Sequence, residues 1–171
     1  MNTIRRLDVG EAQLYREIRL ESLRESPLAF ATSYESAVKR DIDSWVAQAD
    51  ASARGPDRAL FIAFSDSPIG LVGLYRDQQD TSYGELLQMW VSSNHRGSSV
   101  AGDLLDHVFD WASQQDFRFI RAEVTENNLR ALRFYEKYGF QTVASEGSGT
   151  TLTKEVGKSG GGNSAVLPAS H

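Results

Sequence analysis

The sequence predicts an α/β (α+β) fold built on a mixed sheet, and three features of its patterning lead there. Short apolar runs of strand length, at 59–64, 69–76, 85–91 and 117–124, alternate with stretches of helical periodicity. The turn Asp66-Ser67-Pro68 sets the first two runs as an antiparallel hairpin, and 140–144 with 149–156 read as a second antiparallel pair. Residues 85–124 read strand, loop, helix, strand, and two strands joined by such a crossover lie parallel.

In chain order, residues 2–7 make a short strand with Ile4 and Leu7 turned inward, and Asp8 is placed to cap the next helix. That helix runs from 9 to about 24, where Leu14, Ile18 and Leu23 form an apolar stripe among charges, and Pro27 stops it. Residues 28–34 are a small, partly apolar turn before a second helical region. Asp41 divides that region by recapping a helix that carries Trp45, Val46 and Ala49. A loop with Gly55-Pro56 leads into the first hairpin, and a polar loop at 77–82 precedes the strand at 85–91. The clearest helix follows, with Val100, Leu104, Leu105, Val108, Trp111 and Ala112 on one face. After the strand at 117–124, Asn128 opens a short helix holding Ala131, Leu132, Phe134, Tyr135 and Tyr138, and Gly139 closes it.

At 171 residues, 40% apolar and 24% charged, the chain suits one globular domain over 1–156. Residues 157–171, with Gly160-Gly161-Gly162, read as a mobile Gly/Ser-rich tail. The net charge of −5 argues against nonspecific nucleic-acid binding; an acidic surface suits a cationic amine, but solubility alone accounts for the charge more simply. Absence of cysteine removes disulfides, thiolate metal sites and a cysteine nucleophile together. The three histidines, His95, His107 and His171, show no metal-ligand spacing, so no metal is expected. The longest apolar run, 59–64, is too short to span a bilayer, and no signal-peptide core precedes it. A cytoplasmic protein without nucleic-acid or membrane partners is the expectation.

The chemistry concentrates where the strand ending Met89-Trp90-Val91 meets the loop Ser92-Ser93-Asn94-His95-Arg96-Gly97-Ser98-Ser99 and the helix at Val100-Ala101. Such a junction gathers free backbone N–H groups at a positive helix terminus, and small residues let phosphate oxygens approach them. A nucleotide-binding P-loop would need Gly-Lys-Ser/Thr, and a dinucleotide site would need glycines where Ser99 and Ala101 stand. Arg96-Gly97-Ser98-Ser99-Val100-Ala101 instead resembles the Arg/Gln-x-x-Gly-x-Gly/Ala loop of the GNAT N-acetyltransferases, which holds the pyrophosphate of acetyl-CoA. Ser99 departs from that pattern where the family usually has Gly. Serine keeps the N–H and adds a hydroxyl that can donate to phosphate, but it suits a positive φ poorly.

A second segment, from Asn128 through Tyr135 to Tyr138-Gly139-Phe140, is similar to the family's stretch in which an Asn opens a helix and Tyr-x-x-x-Gly-Phe ends it. By residue type alone, Asn128 is an N-cap and Phe134, Tyr135 and Tyr138 are core. Glu85-Leu86-Leu87-Gln88-Met89-Trp90-Val91 matches a third family feature, the strand with an acidic residue that pairs with the cofactor's pantetheine arm. The resemblance is tightest from 85 to 140 and loosest over the first two helices.

It implies the GNAT acyl-CoA N-acyltransferase fold: a twisted sheet of about six to seven strands, helices on both faces, and a splay between the two central parallel strands. It also implies that main chain near Met89, Trp90 and Val91 meets the pantetheine, that 96–101 holds the pyrophosphate, and that Asn128 and Tyr135 touch the cofactor. Thioester aminolysis needs a base for the amine and an acid for the departing thiolate. Glu85 is the candidate base, with Glu123 and Glu126 in reserve, and Tyr135 is the candidate acid. The expected reaction moves acetyl from acetyl-CoA to a small amine (a polyamine, an amino acid or an antibiotic). A protein N-terminus or lysine as acceptor, a non-catalytic acetyl-CoA-binding domain and a simple interaction module are the alternatives. A homodimer is compatible with these readings.

Overall fold

The computed structural model describes residues 2–157, so the tail expected at 157–171 lies, beyond Gly157, outside the described residues. Seven strands form one sheet in the order β1-β2-β3-β4-β5-β7-β6. They are β1 (Thr3–Arg6), β2 (Arg58–Phe64), β3 (Pro68–Arg76), β4 (Tyr83–Val91), β5 (Phe119–Thr125), β6 (Gln141–Glu146) and β7 (Gly149–Glu155). Among the described residues only β4 and β5 run parallel; every other neighbouring pair is antiparallel. The helices are α1 (Ala12–Glu25), α2 (Tyr34–Val38), α3 (Ile42–Ala51), α4 (Val100–Gln114) and α5 (Leu129–Tyr138).

Alternation along β2 separates two cores. Ala59, Phe61 and Ala63 face the α4 side, where all six residues of the predicted α4 stripe are buried, with Tyr135 and Phe140 beside them. Leu60 and Ile62 face α1, α2 and α3, where Tyr15 and Trp45 meet edge to face at 5.4 Å. Fully burying an aliphatic side chain contributes about 1.5–3 kcal/mol, so α4 is held by its face rather than by helix propensity. No helix among the described residues is long and apolar enough to cross a membrane.

The helix ends follow local chemistry. Asp41 accepts from Ser44 N at 2.8 Å, and Asn128 accepts from Ala131 N at 3.2 Å, the caps expected of both. Gly139 ends α5 at φ +121, a region open to glycine. Asp8 does not cap α1. The chain turns through Gly10 at φ +91, so α1 begins at Ala12, and Glu11 reaches back to Asp8 N at 2.9 Å while pairing with Arg5.

Candidate active site

The site begins with a mismatch between β3 and β4. Leu87 faces Gly73 and Trp90 faces Leu71, so β4 carries one residue more than its partner across this stretch. That bulge bends the strand. Gln88 takes the strain, with φ of 59 in the left-handed region that non-glycine residues seldom adopt. Its Oε1 accepts the Tyr15 hydroxyl at 2.8 Å, which fixes the bulge against α1.

On its other edge β4 pairs with β5 only from Tyr83 to Glu85. Beyond Glu85 the two strands separate, while β5 stays bonded to β7 as far as Thr125. Among the described residues, 86–91 therefore keep an edge without a strand partner, and a cleft of about 1240 Å³ opens beside it. The expected splay is present, at the carboxyl ends of parallel strands where open sheets place ligands.

The loop leaving β4 supplies the mouth of the cleft. Gly97 sits at φ +82, which turns the chain into α4. Ser99 has φ of −80, so the substitution of Ser for the family's Gly carries no backbone strain here. Among the described residues the N–H groups of Gly97, Ser99, Ala101 and Gly102 have no hydrogen-bond partner. They stand at the positive end of α4, a cradle suited to phosphate oxygens. Val100 N is spent on Ser98 Oγ at 3.4 Å, and the Ser99 hydroxyl donates to Asp103 Oδ2 at 3.0 Å. Backbone donors, rather than the two hydroxyls, are what this loop leaves free.

Arg96 is more committed than the sequence suggested. Its Nε donates to Val91 O at 3.0 Å, and Nη2 is shared between Glu25 Oε1 at 3.2 Å and Ser26 Oγ at 2.9 Å. Among the described residues Nη1 alone remains without a partner. Glu25, at the end of α1, also accepts from Trp90 Nε1 at 3.0 Å, Ser93 N at 3.2 Å and Ser93 Oγ at 3.0 Å. Burial pushes the Glu25 carboxyl up, but the Ser93, Trp90 and Arg96 donors outweigh it and hold it below the ordinary carboxylate value. Trp90 thus turns its ring under α1, so only its main chain can meet a molecule in the cleft.

The acidic candidates divide. Glu85 lines the cleft, but its Oε2 is taken by both Nε and Nη2 of Arg121, leaving Oε1 without a partner among the described residues. Arg121 also binds Asp77 Oδ2 at 2.6 Å, and the hydrogen bond to Glu85 is the main reason its own pKa is raised. Glu123, two residues along β5 on the same face as Arg121, is exposed, lines the cleft and has no ion pair or hydrogen bond among the described residues. Glu126 lies in the turn after β5 and does not line the main cleft.

Tyr135 is buried, at 6% exposure, but still lines the cleft, and burial alone raises its pKa, so it stays a neutral phenol. Its hydroxyl is not sealed in: the one fully enclosed side-chain polar atom without a partner among the described residues is Trp45 Nε1. Asn128 lines the same cleft with its Oδ1 used as the cap and its amide nitrogen unengaged among the described residues. Met89 and the loop from Arg96 to Ser99 and Ala101 line it too, while Val100 points its side chain into the core. The cleft thus brings together Glu85, Met89, Arg96, Asn128 and Tyr135. Sequence reasoning missed Arg19, Glu25, Gln88 and Arg121.

Comparison with known proteins agrees with this geometry. Residues 18–140 match the model of the acetyltransferase (GNAT) family. A streptothricin acetyltransferase from Escherichia coli is 33% identical over 86 residues, 44% of this chain and 49% of that protein. The matched segment thus spans about half the length of that curated relative. A GNAT-family acetyltransferase from Streptococcus pneumoniae superposes with a TM-score of 0.81 at 17% identity, over 92% of this chain and all of that one. The PaiA N-acetyltransferase of Thermoplasma acidophilum, solved in complex with coenzyme A, gives 0.72 at 20% identity over 91% of this chain and 99% of that one. At these identities the solved structures speak for the fold.

Proposed function

The chain belongs to the GNAT acetyltransferase family, and on that premise we propose that it is an acetyl-CoA-dependent N-acetyltransferase. It moves the acetyl group to a primary amine by direct attack within a ternary complex, and the acceptor is a small molecule. The observation that carries this is the splay of β4 from β5 next to the unpartnered N–H groups of Gly97, Ser99, Ala101 and Gly102. The relative named for acetylating streptothricin supports a small-molecule acceptor. A cytoplasmic setting belongs to the same reading, since the donor is an intracellular metabolite.

The chain's own groups fit the donor. The four N–H groups, with Arg96 Nη1, would hold the pyrophosphate; the free edge of β4 around Met89, Trp90 and Val91 would hold the pantetheine amides. Acetyl-CoA supplies the activated thioester. An N–H of the bulged strand, fixed by Tyr15 and Gln88, stabilises charge developing on the thioester carbonyl oxygen. The amine must lose a proton to attack. Glu123 accepts it directly or through water, with Glu85 Oε1 as the nearer-paired alternative. The Tyr135 phenol, neutral before transfer, gives its proton to the departing thiolate and regains one from solvent, and Asn128 offers its amide from the α5 side.

Two measurements on one preparation test this. CoA should raise the melting temperature by a few degrees, since ligand at about 100 times Kd stabilises by about 2.7 kcal/mol. A panel of primary amines with acetyl-CoA should yield acetylated products by mass spectrometry. Absence of stabilisation by CoA would remove the reading.

A further inference from the structure

Arg19 is 7% exposed, yet no carboxylate among the described residues pairs with it. Its guanidinium lies on the Phe30 ring at 4.7 Å, and its closest polar side chain is Ser22 Oγ, at a long 3.5 Å from Nη1. Nε and Nη2 have no hydrogen-bond partner among the described residues. Burial lowers its pKa, with the phenols of Tyr15 and Tyr75 acting in the other direction and Arg40 adding a like charge. Arg40, itself a cation held over Trp45 and bonded to Ser44, adds to the need for an anion here. Nε and Nη2 of Arg19 are not fully enclosed, so a guanidinium otherwise buried among aromatic rings is left open toward the cleft that Arg19 lines, where an anion can pair with it.

Its place in the fold points to the missing partner. α1 is tied to the open half of β4 at two points, Tyr15 to Gln88 and Glu25 to Trp90 and Ser93. Arg19 lies between those ties, one turn after Tyr15 and on the same side of α1, and it lines the cleft together with Phe30, Thr32 and Tyr75. α1 meets the phosphate-suited loop at Glu25 and Ser26, whereas Arg19 lies back toward Tyr15 and the bulge at Gln88, so an anion docked on it is assigned to the acceptor rather than the donor. The free Nε–Nη2 edge of a stacked planar guanidinium matches the two oxygens of a carboxylate.

Building on the acetyl-transfer reading, we propose that the acceptor carries a carboxylate as well as its amine, in the manner of an α-amino acid, and that Arg19 binds that carboxylate. The acid and the amine then have separate recognition: Arg19 fixes one end while Glu123 and Glu85 lie where the amine loses its proton. Arg19 is a specificity-determining residue, not a proton carrier.

Calorimetric titration of the CoA-saturated protein with the standard α-amino acids and their carboxamides tests this without depending on turnover. Loss of one bidentate charged contact corresponds to about 10- to 100-fold in affinity. At least one amino acid should bind wild type by that factor more tightly than its carboxamide. The ratio should fall close to one in Arg19→Met and lie between in Arg19→Lys, which keeps the charge should the methionine variant fold poorly. Equal binding of acid and carboxamide by wild type, no binding of any amino acid, or an unchanged ratio in both variants would overturn it. Failure of CoA itself to bind would overturn the acetyl-transfer reading beneath it, and shows in the CoA titration before any acceptor is added.

Discussion

Arg96 donates its Nε to the carbonyl oxygen of Val91 at 3.0 Å, closing the loop back onto the strand it leaves. The same side chain reaches Glu25 and Ser26 on α1, so one guanidinium joins β4, the loop and the first helix. Arg96→Ala should therefore act twice. CoA affinity should fall by about 10- to 100-fold through the lost charge and the loosened cradle. The melting temperature of the free protein should fall too, a loss a purely ligand-directed arginine would not show. Calorimetry and thermal unfolding of the same variant separate the two effects.

Glu25 gives that junction a pH dependence. Its carboxyl is held below the ordinary value in the folded protein, so its stabilisation is fully present above the unfolded pKa of about 4.3 and is lost as pH falls through the folded value. Glu25→Gln should be less stable than wild type at neutral pH, and the gap should narrow as pH falls below about 4. Denaturant melts of both proteins across that window check it; a constant gap would assign the loss to packing.

Glu85 and Glu123 separate by partnership. Glu123→Gln should lower turnover most at low pH, where the amine most needs a proton acceptor, with stability little changed at an exposed position. Glu85→Gln strips a charge from the Asp77–Arg121–Glu85 network and should cost stability as well as rate. pH–rate profiles of both variants identify the base.

Tyr135→Phe deletes one hydroxyl that burial alone perturbs, so the melting temperature should hardly move. Loss of a general acid costs about 10²–10⁴-fold in rate, so kcat should fall by that order while CoA affinity stays. Wild-type turnover in the variant would remove Tyr135 as the acid.

How much of this the sequence disclosed depended on whether a residue's inward face was apolar. α4 was legible because its six inward residues are all apolar, and the parallel β4–β5 pair because a crossover leaves no other arrangement. α1 was read poorly because its inward face includes Arg19 and Ser22, which break the stripe that periodicity seeks. The bulge at Gln88 has no sequence mark of its own, since a glutamine there looks like any alternating strand residue. Glu85 stood out as a free carboxylate because its partner, Arg121, lies 36 positions away on the next strand. Asn128 illustrates the overlap of roles, since the capping oxygen leaves its amide nitrogen to spare.

The central claim is that the donor lies in the splay with its phosphates on the amides that open α4. The most direct measurement is a backbone amide NMR titration with CoA. The amides of Gly97, Ser99, Ala101 and Gly102 should show large shifts at saturation, together with those of 86–90 on the free edge of β4. If those amides stay fixed while CoA binds, or only amides elsewhere on the sheet respond, the cradle and the splay are not the donor site.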